Sequence, residues 1–195
     1  MTQEPNTFKA NADSIVTSEE HLIRLDELET LRKEVVSQYD AYTSDQLTFQ
    51  VNPQQWSLLQ VLDHIVTAEK MSAIYIKRHL NGKKYPPAPG FKENFRYGLL
   101  KLAFKLPFKY TAPDIVDSTG KSPDLATLQE NWKTIRSELL GIVESTDKEL
   151  LELGVYKHPR AGLLNMEQAL DFMALHIRHH QKQIDRITSH ETFPA

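Results

Sequence analysis

Residues 158–184 read HPRAGLLNMEQALDFMALHIRHHQKQI. Asn165 followed three residues later by Gln168 has the form of a capping box, in which a side-chain acceptor and an amide satisfy the open N–H groups of a helix start. Behind it Leu170, Met173, Ile177, Ile184 and Ile187 recur at three- and four-residue steps, so the stretch predicts an amphipathic helix over roughly 166–189. His176 and His180 are spaced i, i+4 near the apolar side of that helix, next to Met173 and Ile184. Residues at that spacing lie about 6 Å apart at Cβ, close enough for two imidazoles to grip one divalent ion. Rotating the helix would make His176 and His179 the pair instead, at i, i+3. The HxxxH pattern lacks the internal Glu of HExxH metalloproteases, which disfavours a zincin. A third imidazole from another helix would complete a site with open coordination positions.

Three further stretches carry the same helical signature. Ser57 with Gln60 opens a run through Leu58, Val61, Leu62, Ile65, Met71 and Tyr75, predicting a helix over 57–80 that Asn81-Gly82 stops. Thr17 with Glu20 precedes Leu25, Leu28, Leu31, Val35 and Tyr39, predicting a helix over 18–42 after a flexible 1–16. Ser122-Pro123 introduces Leu128, Trp132, Ile135, Leu139 and Ile142, predicting a helix to about 146. Four such helices with almost no strand signal predict an all-α four-helix bundle. The connections are about 14 residues, with a short turn at 44–47, then about 40, then about 19. The long one, 82–121, frees the third helix from lying antiparallel beside the second, so an up-down-up-down order is not forced.

That long connection contains FKENFRYGLLKLAFKLPFKY, 91–110, where Lys92, Arg96, Lys101, Lys105 and Lys109 alternate with aromatics against the single acid Glu93. As a helix it places Phe95, Leu99, Leu102 and Leu106 on one face beside a lysine stripe. An extra helix packed on the bundle with its lysines solvated is the simplest reading. A lid over a pocket, a membrane-surface element or a contact for an anionic ligand are the functional ones.

Composition limits the setting. A chain of 195 residues with 40% hydrophobic residues suits one sizeable core, hence a single domain over 1–195. A net charge of -3 and pI of 6.2 give no global field for nucleic acid. There are no cysteines, which excludes disulfides, thiolate ligands and a cysteine nucleophile. A polar N-terminus and the absence of any run of 18 apolar residues predict a cytoplasmic protein without stable membrane insertion.

WSLLQVLDHIVTAEK, 56–70, together with 158–184 and the preceding LTFQVNPQQWS, resembles the DinB-like superfamily of metalloproteins over nearly the whole chain outside 82–121. Taken alone, His64 on an apolar helix face reads as a hydrogen-bonded core residue. The resemblance instead matches it to the first metal-binding histidine, after a Trp-Ser helix start, and matches His176 and His180 to the second and third. It implies a four-helix bundle holding a divalent ion (nickel, zinc, iron or manganese) at one mouth. It further implies a metal-dependent enzyme, either a hydrolase or a low-molecular-weight-thiol S-transferase, acting on a small-molecule substrate. The alternative is a non-catalytic metal-containing stress or interaction protein, a homodimer through exposed apolar helix faces.

Lesser candidates follow from helical geometry. Gln60 and Thr67 lie one turn either side of His64 and Gln183 one turn beyond His180, within reach of the ligands. Glu69, Glu167 and Asp171 are nearby acids without an assigned role, Glu167 being best read as a helix-dipole partner. His158 either approaches the site mouth or fixes its turn. Trp56 and Trp132 read as core anchors, and His21, His79 and His190 as residues of ends or surfaces.

Overall fold

The computed structural model describes residues 12–82, 85–106 and 114–195. Seven helices and one hairpin are formed by these residues: α1 Ala12–Asp40, α2 Ser44–Thr48, α3 Leu58–Leu80, α4 Phe91–Lys105, α5 Leu125–Ser145, α6 Lys148–Leu151, β1 Tyr156–His158, β2 Gly162–Leu164 and α7 Met166–Thr188. The bundle consists of α1, α3, α5 and α7. Helices α1 and α3 each pack on both α5 and α7, so these two helices, consecutive among the long ones, occupy diagonal corners. Their facing stripes fill the core, with Leu28 and Tyr39 of α1, Leu62 and Ile65 of α3, Trp132 and Leu139 of α5, and Leu170 and Ile184 of α7 all fully enclosed.

Two helix starts follow their capping boxes. Ser57 accepts from Gln60 N–H while the Gln60 side chain accepts from Ser57 N–H, and Asn165 and Gln168 repeat the arrangement. The others differ. Thr17 lies inside α1, because no Gly or Pro interrupts the chain between Pro5 and Thr17 and the helix extends back to Ala12. The expected flexible N-terminus is therefore helical over 12–16, and residues 1–11 lie outside those described. Helix α5 starts at Leu125, capped by Asp124, whose carboxylate accepts from Thr127 N–H and Oγ1–H, so Pro123 stands just before the cap.

The hairpin was not anticipated, since three-residue strands are too short to show alternation. Tyr156 pairs with Leu164 and His158 with Gly162. Gly162 has φ of +86°, a conformation that closes the three-residue loop and favours glycine. Gly154, two residues before β1, approaches Pro87 so closely that a Cβ would meet the Pro87 carbonyl at 2.9 Å. Gly154 N–H donates to that carbonyl and docks the start of the long connection on the bundle.

Helix α4 ends at Lys105, earlier than the stretch to 110, because Leu106 precedes Pro107 and takes extended backbone. Residues 107–110 lie outside those described. Its packed face is not the one on which Phe95, Leu99, Leu102 and Leu106 gather. Tyr97 and Leu100 are buried, and Phe104 packs on Phe172 of α7, while Phe95, Leu99, Leu102 and Leu106 face outward. Asp171 decides the orientation by accepting from Tyr97 Oη–H and Lys101 Nζ, both at 2.7 Å. No helix among the described residues is long and apolar enough to cross a membrane.

Candidate metal centre

His64 extends from the second turn of α3, and His176 and His180 from the middle of α7, two helices that pack directly on one another. The three rings meet in the interior. Nε2 of His176 is 3.1 Å from Nε2 of His64 and 3.1 Å from Nε2 of His180. One ligand atom from each lies within 4.8 Å of the others. The i, i+4 pair, not the i, i+3 alternative, therefore faces α3.

The outer nitrogens determine which atoms are free to coordinate. His64 Nδ1–H donates to the Val116 carbonyl at 2.8 Å, and His180 Nδ1–H donates to Gln183 Oε1 at 2.9 Å. Both Nε2 atoms must then carry lone pairs, and both point at His176 Nε2. One N–H on His176 can satisfy at most one of them, which leaves an electron-rich pocket. Charging the rings is no remedy, because burial, followed by repulsion from the neighbouring histidines, holds His176 well below the usual imidazole range and brings His180 down to about 3. Burial lowers His64 as well, against the opposing Val116 bond. Three neutral donors, two pairs of them 3.1 Å apart and all within 4.8 Å of one another, suit the ligand spacing around an ion bound at roughly 2.0–2.1 Å. The donor set thus fits a divalent cation.

Aromatic rings wall the cluster. Trp56 lies 4.9 Å from the His64 ring, and Phe172 stacks on His176 at 5.7 Å. The expected core role for Trp56 is corrected accordingly: the ring is half-buried at the site, with Nε1–H donating to Thr119 Oγ1. Trp132 is a core anchor, fully enclosed. His179 lies outside the cluster, 5.2 Å from Phe104.

A strap over 114–121, entered by a 3-10 turn at Asp114–Val116, supplies the Val116 carbonyl. Asp63, beside His64, holds it by accepting from Ser118 Oγ–H at 2.6 Å and from Lys121 Nζ at 2.9 Å. Neither Asp63 nor Val116 was singled out in sequence. A carbonyl has no side-chain signature, and in sequence an Asp within an amphipathic run resembles any solvated acid. Gln60 does not touch the cluster; it caps α3 and donates to the Lys121 carbonyl. Thr67 makes no hydrogen bond to the cluster among the described residues. Between Gln50, Gln54, Trp56, Gln60, Thr119 and Lys121 lies a cavity of about 330 Å³, adjoining the site through Trp56.

The nearby acids are structural. Glu69 is enclosed with Trp132 and Arg136, Asp171 anchors α4, and Glu167 lies in the first turn of α7, 3.8 Å from Arg24. His158 fixes its turn, with Nδ1 accepting from the N–H groups of Arg160 and Ala161. His21 is buried within α1 instead of lying at an end or surface, whereas His79 stacks on Tyr75 and His190 lies in an exposed turn.

Comparison with known proteins agrees with this architecture. No curated protein matches the chain. Among solved structures it is similar in fold to YfiT from Bacillus subtilis, described as a probable metal-dependent hydrolase with an unusual four-helix bundle topology, at 18% identity and a TM-score of 0.56, covering 95% of this chain and 91% of that one. The family model of the DinB superfamily matches residues 27–184, from the middle of α1 through the last histidine of the cluster, and the chain belongs to that superfamily.

Proposed function

We propose that His64, His176 and His180 hold one divalent metal ion and that the protein is a metal-dependent hydrolase of a small molecule. The observation that carries this reading is the convergence of three Nε2 atoms, two of them on rings, His64 and His180, whose outer nitrogens are committed elsewhere, at Val116 and Gln183. Such hydrogen bonds fix tautomer and ring orientation and raise ligand basicity. An ion held by three neutral imidazoles retains its full charge and open positions, and supplies Lewis acidity that makes a water nucleophilic near neutral pH or polarises an electrophile. The rest is done by the chain. Val116 and Gln183 keep the lone pairs aimed inward, while Trp56 and Phe172 limit bulk water around the rings. The adjoining cavity, lined by side-chain amides, the Thr119 hydroxyl and Lys121, suits a polar substrate. The description of YfiT as a probable metal-dependent hydrolase supports the reaction class.

Elemental analysis and activity screening test the proposal together. Purified protein is expected to carry about one equivalent of nickel, zinc, iron or manganese, and His64→Ala or His180→Ala to lose most of it. Protein that takes up no metal after incubation with each of these salts would sink the reading. Turnover of ester or amide substrates without added thiol, lost in both variants, supports a hydrolase. Turnover that requires a low-molecular-weight thiol reassigns the same site to S-transfer.

A further inference from the structure

The outward face of α4 has no partner in the bundle. Phe91 is 89% exposed, Phe95 60%, Leu102 55% and Leu99 51%, with Leu106 close behind at the helix end. At 100° per residue the four helical ones fall within an 80° arc over a helix of about 22 Å, directly opposite the Tyr97, Leu100 and Phe104 face that packs on α7, and Leu106 follows at the C-cap. Such an arc is a continuous stripe, unlike the isolated apolar side chains common on surfaces. Cations border it on both sides, Lys92 and Arg96 along one edge and Lys105 along the other. None of the three forms an ion pair among the described residues. The single acid of the helix, Glu93, lies on the packed side and accepts from Gly90 N–H.

We propose that α4 is a peripheral membrane-docking helix, which lays its Phe91–Phe95–Leu99–Leu102–Leu106 stripe into the interface of an anionic lipid surface while Lys92, Arg96 and Lys105 meet the headgroups. Charge complementarity selects this occupant. A second copy seated on the same stripe sets cation against cation, since the one acid of the helix lies on its packed side, and self-pairing is opposed. An anionic bilayer offers both an apolar layer and negative headgroups, the partners that the stripe and its cations lack. The chain as a whole is negative, at -3, so no global field aids the contact, and the local attraction depends on salt. Tyr97 and Lys101, both held by Asp171, fix the helix on the bundle, so the stripe is presented without any rearrangement. The inference is independent of the metal site, and failure of one leaves the other standing.

Vesicle co-sedimentation of the full chain tests it. The expected result is binding to phosphatidylcholine vesicles containing phosphatidylglycerol, little binding to pure phosphatidylcholine, and release at high salt. The triple variant Lys92→Gln, Arg96→Gln, Lys105→Gln is expected to bind roughly a hundred-fold more weakly, about five-fold for each cation lost near the surface. Phe95→Glu with Leu99→Glu is expected to abolish binding. All five side chains are exposed, so unchanged circular dichroism and thermal midpoints check that the variants fold. Absence of binding to anionic vesicles overturns the proposal, as does binding that neither variant weakens or that is equally strong on neutral vesicles. A concentration-dependent dimer that Leu99→Glu disperses, without vesicle binding, overturns it in favour of a second copy.

Discussion

His158 shows how one side chain can act on stability without entering the site. Its Nδ1 accepts two backbone N–H groups, from Arg160 at 3.2 Å and Ala161 at 3.1 Å, so a proton on that nitrogen forfeits both bonds. Burial, reinforced by the positive charge of Arg160, pushes the imidazole down to about 4. The unfolded chain, titrating near 6.5, binds the proton first. Stability is therefore unaffected by this residue above that pH and falls as pH drops from about 6.5 through 4, by about 3 kcal/mol in all. Asn at this position offers a carbonyl acceptor that does not titrate. Urea unfolding of metal-free protein at several pH values should show His158→Asn gaining on the wild type by about that amount between neutral pH and pH 4. A constant gap across the range would mean that the turn does not sense this proton. The role was only half legible in sequence: His-Pro marked a turn, but the two N–H donors come from a hairpin that no alternation announced.

Between elements, the buried contact of α3 with α5 hangs on Glu69, whose carboxylate accepts from Trp132 Nε1–H and Arg136 Nη2, both at 2.8 Å, with Glu69 and Arg136 almost wholly enclosed. Removing one partner leaves the other charge without compensation. Glu69→Ala is thus expected to cost about 3–5 kcal/mol in denaturant unfolding, and Arg136→Leu a similar amount. The double replacement Glu69→Leu with Arg136→Leu should cost less than either single change, because it removes both desolvated charges and the cavity is filled by apolar side chains. Additive losses would refute the coupling. Apolar spacing predicted that α3 and α5 are helices, and it correctly picked Trp132 as an anchor. It left Glu69 unassigned because an acid inside an apolar run shows its partner only once two helices are packed. The same blindness explains α4. Its sequence carries two apolar arcs, and periodicity favoured the larger; the carboxylate of Asp171, 70 residues from Lys101, buried the smaller one.

At the scale of the molecule, the four long helices and two of their capping boxes were readable from the chain, whereas the diagonal placement of α1 and α3 was not, since loop length permits an order without choosing it. That placement matters to the site. It sets α3 directly against α7, so that one ion bound by His64, His176 and His180 would cross-link helices separated by 112 residues between His64 and His176. The strap at Val116, held to α3 through Asp63, would be drawn into the same unit. Folding and metal binding are then linked, because the unfolded chain cannot gather the three nitrogens. Free ion at a hundred times its dissociation constant is expected to add about 2.7 kcal/mol, which for a chain of this size raises Tm by roughly 5–10 °C. Scanning calorimetry of chelator-treated protein, with and without nickel or zinc, should show that increment and show it missing in His64→Ala. A Tm indifferent to metal in the wild type, or an equal rise in His64→Ala, would mean that the three rings do not act as one clamp between α3 and α7.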